Sequence, residues 1–318
     1  MAKKVSFFKN AFSLLKDTFQ AFSEDNAMKM AAALAYYTIF SLAPLLIIII
    51  WLSAFFFGEK ATTGEVFSQL NEFIGEEAAM LIQEFIKGVS LAGKSGFAII
   101  VGVGALLAGS TKVFIEIQDS INAIWGVRAK PKKGWLKLII DRVLSFSVVL
   151  GLGFLLIVSL FINIIIDTLS STLIDYFPDT TVFFVSLING SISFIIIAVL
   201  FGVIFKFLPD AQVKWAYIRG GAIFTAVLFI VGKYLISLYM QYTAPASAYG
   251  AAGSMVIILL WIYYTSAILF FGAEFTQVYA KRYSGGIQPA KYAVRVTLSE
   301  IEHDVNEGKE PEAPKQIK

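Results

Sequence analysis

Residues 249–283 read YGAAGSMVIILLWIYYTSAILFFGAEFTQVYAKRY. Small residues lead into an apolar run of about 18 residues, the length that crosses a bilayer. A carboxylate, Glu274, sits late in the run, and Lys281 and Arg282 stop it. No water-soluble core needs such a stretch. It reads as a membrane-spanning helix whose basic end faces the cytoplasm, and the rest of the chain can be laid out against it.

The composition agrees. Of 318 residues, 57% are hydrophobic and 15% charged, against about 45–50% and about 25% in a soluble domain. The excess is gathered into runs at about 31–57, 97–125, 138–166, 181–207, 217–242 and 254–281. Lysine and arginine are dense before the first run, between the second and third, between the fourth and fifth, and after the sixth. They are sparse in the other loops. By the positive-inside rule this predicts an all-α, polytopic membrane protein with six transmembrane helices and both termini cytoplasmic. Three regions follow: an amphipathic segment over 1–29, a six-helix membrane domain over 30–283, and a polar cytoplasmic tail over 284–318. No cleavable signal peptide is expected, because the first long apolar run begins near Met30 and is too long for one.

Several function classes are excluded early. The chain has no cysteine, so disulfides, thiolate chemistry and cysteine-based metal sites are out. The only histidine is His303, in the polar tail. No catalytic, metal or cofactor site is expected. The segment GVGALLAG at 102–109 lacks the Gly-Lys-Ser/Thr ending of a phosphate loop and lies within a span.

The flanking segments are amphipathic. Over 6–23, Phe8, Phe12, Leu15, Phe19 and Phe22 share one helical stripe with lysines opposite. This fits a helix packed on the bundle or, better, one lying in the cytoplasmic interface with lysines toward anionic headgroups. The charges of residues 59–94 are mostly glutamates, and with their recurring apolar positions these residues read as one or two outer amphipathic helices. Pro44 removes one backbone hydrogen bond and predicts a kink in the first span.

Charges at membrane depth are the candidates for function, since each costs on the order of 2.5–3.5 kcal/mol even on lenient scales. Lys112, Glu116 and Asp119 are spaced i, i+4, i+7 and lie on one narrow face of the second span, with Asn122 beyond. Counting from cytoplasmic anchors at 1.5 Å per residue, Lys233 lies about 21 Å deep, Glu116 about 18 Å and Asp119 about 14 Å. Glu274 lies only about 10 Å in, and Arg142 about 8 Å. Matching depths predicts Lys233 opposite Glu116 and Arg142 opposite Glu274. These groups are either static interhelical glue or a hydrophilic path for a headgroup, ion or proton; Glu274 by itself reads as a structural ion-pair partner or interface residue rather than a proton carrier. Trp261, Tyr263, Tyr264, Tyr242 and Tyr249 read as bundle packing or an interfacial belt.

Five pieces of sequence, in order, carry a family resemblance: AYYTIFSLAPLL at 35–46, SINAIWGV at 120–127, FKFLP at 205–209, GKYLISLY at 232–239, and the sixth span itself. Together they resemble the YihY/BrkB (UPF0761-like) family of bacterial inner-membrane proteins, which carries the legacy name ribonuclease BN. The likeness covers about 25–283. It implies a six-span protein of the cytoplasmic membrane and supplies no agreed activity.

Transport or flipping of a lipid or other amphiphile fits the polar face best. A non-enzymatic scaffold for envelope assembly, docking a partner through 64–92, is the alternative. A nuclease is disfavoured, because metal-assisted RNA hydrolysis needs clustered carboxylates or histidines in water, and the cytoplasmic loops offer lysines. The expected partners are membrane lipids, with anionic headgroups at the basic loops, and no nucleic acid. Small-residue faces on spans two and five (Gly221, Ala222, Thr225 and Ala226 on the latter) suit internal packing or a homo-oligomer.

Overall fold

The computed structural model describes residues 2–41, 112–130, 178–243 and 253–297, and within them the chain is mostly helical. Helix α1 spans Ala2–Glu24, α2 covers 27–41 and α3 covers 112–124. Helix α4 spans Pro178–Phe207, α5 Trp215–Thr243 and α6 Gly253–Ser284. Short strands lie between and after them: β1 at Val127–Ala129, β2 at Ala211–Gln212, β3 at Gln288–Pro289 and β4 at Ala293–Arg295. The segments holding Pro44, the 59–94 helices and Arg142, with most of the first three expected spans, lie outside the described residues.

Among the described residues three helical stretches are long and apolar enough to cross a membrane: Leu187–Phe207, Trp215–Tyr239 and Val256–Tyr283. They coincide with the expected fourth, fifth and sixth spans. Their isoleucines, valines and phenylalanines are indifferent helix formers in water. In hydrocarbon each backbone group must be satisfied within the segment, and the helix does that.

Helix α5 packs against both α4 and α6, and α1 runs along α6. The α5–α6 seam is set by a reciprocal pair of small residues. Thr225 donates to the Gly221 carbonyl one turn back at 2.7 Å, and Thr276 does the same to Gly272 at 2.7 Å. Gly221 faces Thr276 across the seam, and Gly272 faces Thr225. Each threonine spends its hydroxyl on its own helix and presents its remaining surface to the partner's glycine, so the backbones approach closely. Phe224 and Phe275 stack beside this contact with ring centroids 3.9 Å apart. Farther along, Trp261 packs edge-on against Phe229. It is bundle packing, as its sequence context implied.

On α1, Leu14, Thr18 and Phe22 are buried. Phe12 and Phe19 are 73% and 67% exposed, on a face roughly a quarter-turn away. The stripe read from the sequence is therefore split: Phe22 packs on Phe271 of α6, while Phe12, Leu15 and Phe19 stay outside. Arg282, at the end of α6, pins this helix. It donates to the Asn10 carbonyl at 3.0 Å and Ser13 Oγ at 2.9 Å, and pairs with Asp17 at 2.7 Å.

The segment after α6 departs from the solvated tail expected of it. Gly285 and Gly286 both adopt positive φ (76° and 97°), a region where only glycine is unstrained, and turn the chain back. Strand β3 then pairs antiparallel with β2, and β4 pairs antiparallel with β1. Residues 285–297 thus form a strap that ties the connection after α3 to the connection between α4 and α5. An all-α reading missed it because two- and three-residue strands are too short to leave a periodic signal. Residues 298–318 lie outside the described residues.

Adjacent glycines test the seam. A Cβ at Gly221 would collide with Thr276, whereas one at Gly220 would meet Tyr279 at an ordinary 3.8 Å. Gly221→Ala is expected to destabilise the detergent-solubilised protein by about 1–3 kcal/mol, as overpacking does, while Gly220→Ala leaves it unchanged or slightly raised. Thermal unfolding of the two variants checks the contrast.

Candidate functional site

The stretch SINAIW closes α3 and turns its inner face to the bundle: Ser120, Ile121, Asn122, Ile124 and Trp125 are all buried. Asn122 sits where α4 has just ended. Pro209, which has no amide proton to continue the helix, breaks α4 and leaves Asp210 in a bend. Asn122 Nδ2 donates to Asp210 Oδ2 at 2.8 Å, and the Asp210 amide donates to Asn122 Oδ1 at 2.8 Å. Both residues are buried, at 6% and 1% exposure. The Asp210 carbonyl then accepts from the Ala290 amide of the strap at 3.0 Å. One side chain and its backbone thereby join α3, the α4–α5 connection and the strap.

Two further contacts complete this end of the bundle. Trp125 Nε1 donates to the Ala273 carbonyl of α6 at 3.0 Å. The next residue, Gly126, has φ +62° and a space bounded by the Val296 carbonyl 3.2 Å from any Cβ, so only glycine lets the chain enter β1. Lys206 Nζ donates to the Val213 carbonyl at 2.6 Å and lies over the Trp215 ring, bracing the same connection.

The residues singled out in the sequence divide into separate groups. Asn122 belongs to the lock with Asp210. Lys112, Glu116 and Asp119 do share one face of α3, opposite the buried Ile121; Lys112 and Asp119 are exposed and Glu116 half-buried. The charge acting on Glu116 is that of Asp119. Lys233, expected opposite Glu116, is half-buried on α5 and engaged in a contact. Arg142, expected opposite Glu274, lies outside the described residues, as does the kink residue Pro44.

Glu274 follows Ala273 on α6 and is completely buried. Among the described residues neither of its carboxylate oxygens has a hydrogen-bond partner. The charged groups acting on it are Asp25 and Glu24, from the α1–α2 turn, and Lys281 two turns along its own helix. No group of three or more histidine, aspartate or glutamate residues converges to hold a metal ion among the described residues.

Sequence reading passed over Asp210 and saw only the helix-breaking proline beside it. The available signal was a lone carboxylate, directly after proline, in a loop otherwise reserved for lysine and arginine.

The motifs that meet here are those that carried the family resemblance. The profile of the family described as virulence factor BrkB matches residues 18–297. The chain belongs to the BrkB family. Among its relatives, the ribonuclease-like protein YfkH of Bacillus subtilis is 23% identical over 273 residues, covering 85% of this chain and 96% of YfkH. A UPF0761 membrane protein of Idiomarina loihiensis is 28% identical over 284 residues, covering 85% of this chain and 92% of the relative. Another UPF0761 membrane protein, from Psychromonas ingrahamii, is 28% identical over 258 residues, covering 80% of this chain and 82% of its own length. No solved structure matches the chain. The BrkB match ends at 297, so it takes in the strap as well as the spans.

A double-mutant cycle tests the lock. Asn122→Ala and Asp210→Ala are each expected to destabilise by about 1–3 kcal/mol, because each leaves a buried polar partner unsatisfied. The double variant should cost less than the sum, with a coupling of about 0.5–3 kcal/mol. Additive losses in chemical unfolding would show that the two residues act separately.

Proposed function

We propose that this BrkB-family chain is a multi-pass protein of the bacterial cytoplasmic membrane, both termini inside, that moves a lipid or other amphiphile along a polar path between helices. The observation that carries the reading is the charged face of α3. Lys112, Glu116 and Asp119 lie on one side of a helix whose other side is packed into the core. Charges at membrane depth and turned away from a packed core are tolerated where they border water or a polar passenger. The α3 face therefore suits a hydrophilic passage for a headgroup, with the acyl chains left in the bilayer.

The orientation rests on charge. The strands bring 127–130, 211–214 and 288–295 to one end of the bundle, and these segments carry Arg128, Lys130, Lys214, Lys291 and Arg295. Such an end belongs on the cytoplasmic side and attracts anionic headgroups. We read the protein as non-enzymatic. The ribonuclease-like name belongs to YfkH, and RNA hydrolysis needs a water-exposed cluster of metal-binding or acid–base groups that the sequence does not offer in its loops.

Reconstitution tests the proposal. Proteoliposomes holding the wild-type chain are expected to scramble fluorescent phospholipid. Glu116→Gln and Lys233→Met should each slow scrambling by about tenfold or more, equivalent to about 1.4 kcal/mol on the barrier, while Gly220→Ala, whose Cβ meets only Tyr279 at 3.8 Å, retains the wild-type rate. Absence of flux, with partners crosslinking through 64–92 in cells, would favour the scaffold instead. RNA cleavage by the purified chain, lost on mutating its carboxylates, would overturn both.

A further inference from the structure

The strap leaves one face of its ribbon exposed. Arg128 of β1 stands opposite Val294 of β4, and the bonds from Lys130 to Tyr292 and from Val296 to Gly126 carry the register one residue farther each way. Opposed residues share a face, and successive residues alternate between faces. Arg128, Lys130, Tyr292, Val294 and Val296 therefore lie on one side, and all five are exposed. The other side meets the bundle: Val127 is buried, and the Arg295 guanidinium donates to the Ile287 carbonyl at 2.7 Å. The exposed face is thus cationic and apolar at once. Lys291 stands exposed beside it, and residues 127–130, 211–214 and 285–297 contain no aspartate or glutamate.

The sequence that follows supplies the complement. Residues 298–312 read LSEIEHDVNEGKEPE, six carboxylates against one lysine. Glu300, Glu302 and Asp304 recur at every second position, with Leu298 in the same phase. An extended chain would turn all four to one side, at intervals of about 6.4–6.8 Å. The same interval separates Arg128 from Lys130 on β1, since they too are two residues apart in a strand. Surface ion pairs are individually weak, so a free acidic peptide would gain little here. The acidic run, however, starts only four residues after Val296, and so short a tether gives an effective concentration on the order of mM. A lipid headgroup must reach the outward face of the ribbon, whereas the tail departs from it.

We propose that the acidic segment 298–312 docks on the Arg128–Lys130 face of the strap and covers the cationic end of the bundle. Glu300, Glu302 and Asp304 meet the two cations, and Leu298 meets the apolar residues of β4. Complementary charge sets where the segment lies, and the tether supplies most of the affinity. Docked, the tail neutralises cations that would otherwise attract anionic headgroups. Salt removes it by screening. This interaction stands apart from the lipid-path reading, which uses charges on α3 and α5; either can fail without the other.

The full chain in phosphatidylcholine nanodiscs tests the proposal, helped by the absence of cysteine. A nitroxide on His303→Cys, out of phase with the three carboxylates, reports whether the tail is held. At about 0.1 M salt the immobile spectral component should outweigh the mobile one by about tenfold. It should lose that lead at about 1 M, where the screening length has fallen from about 10 Å to about 3 Å. Arg128→Glu with Lys130→Glu should free the label at low salt, and adding Glu300→Lys, Glu302→Lys and Asp304→Lys should hold it again. The salt series needs none of these variants, so it stands even if one fails to fold. Mixing phosphatidylglycerol into the disc should leave the label held; release there would give the face to lipid headgroups and overturn the tail as its occupant. A mobile label in phosphatidylcholine at low salt, or a held label indifferent to salt or to charge reversal, would overturn the proposal as well.

Discussion

The bidentate contact between Asn122 and Asp210 is the constraint on which the described structure turns. A helix that ends inside or just below a bilayer leaves carbonyls and amides that water cannot reach freely. Proline at 209 ends α4 abruptly and frees the Asp210 amide, and one asparagine on a neighbouring helix satisfies both that amide and the adjacent carboxylate. Because Asp210 also accepts from the strap, the same few atoms settle where α3, α4, α5 and the C-terminal segment meet. The Trp125 indole bond to Ala273 adds α6 to the assembly, and Arg282 adds α1. The interior of this membrane domain is thus organised from one end. Short polar contacts fix the ends of helices whose long apolar faces carry little directional information of their own.

The sequence was legible where one physical signal dominates. Apolar length and the placement of lysine and arginine foretold the fourth, fifth and sixth spans within a few residues, and the small-residue face at Gly221, Ala222, Thr225 and Ala226 foretold a close helix contact. What that face could not reveal was its partner, the matching Gly272–Thr276 pair, because glycine and threonine recur throughout membrane helices. The charged face of α3 was legible from spacing alone, since i, i+4, i+7 leaves little freedom. Depth and spacing do not encode helix rotation, so the Asn122–Asp210 pairing was not legible. Asn122 looked like a member of the polar face and instead turns inward to Asp210. The strap was invisible because its strands are two or three residues long and its composition is that of a solvated tail.

Two kinds of buried polarity emerge from this division. At Asn122–Asp210 two hydrogen bonds run in opposite directions across one contact, as expected of an arrangement that specifies a unique packing. At Glu274, completely buried on α6, neither carboxylate oxygen meets a donor among the described residues. The first is what holds a membrane bundle in one conformation.

The segment after α6 is an integral strap across the end of the bundle. The chain's lack of cysteine makes a direct test available. Ala129 and Ala293 face each other across β1 and β4. The flanking bonds from Lys130 to Tyr292 and from Val296 to Gly126 mark theirs as a non-hydrogen-bonded pair, where opposed side chains come closest. Cysteines at 129 and 293 in intact membranes should form a disulfide within one chain under mild oxidation, visible as a shift in gel mobility reversed by reductant, with neither single variant showing it. Two thiols that both label freely yet fail to crosslink would contradict the strap and return residues 285–297 to the solvated tail that their composition suggests.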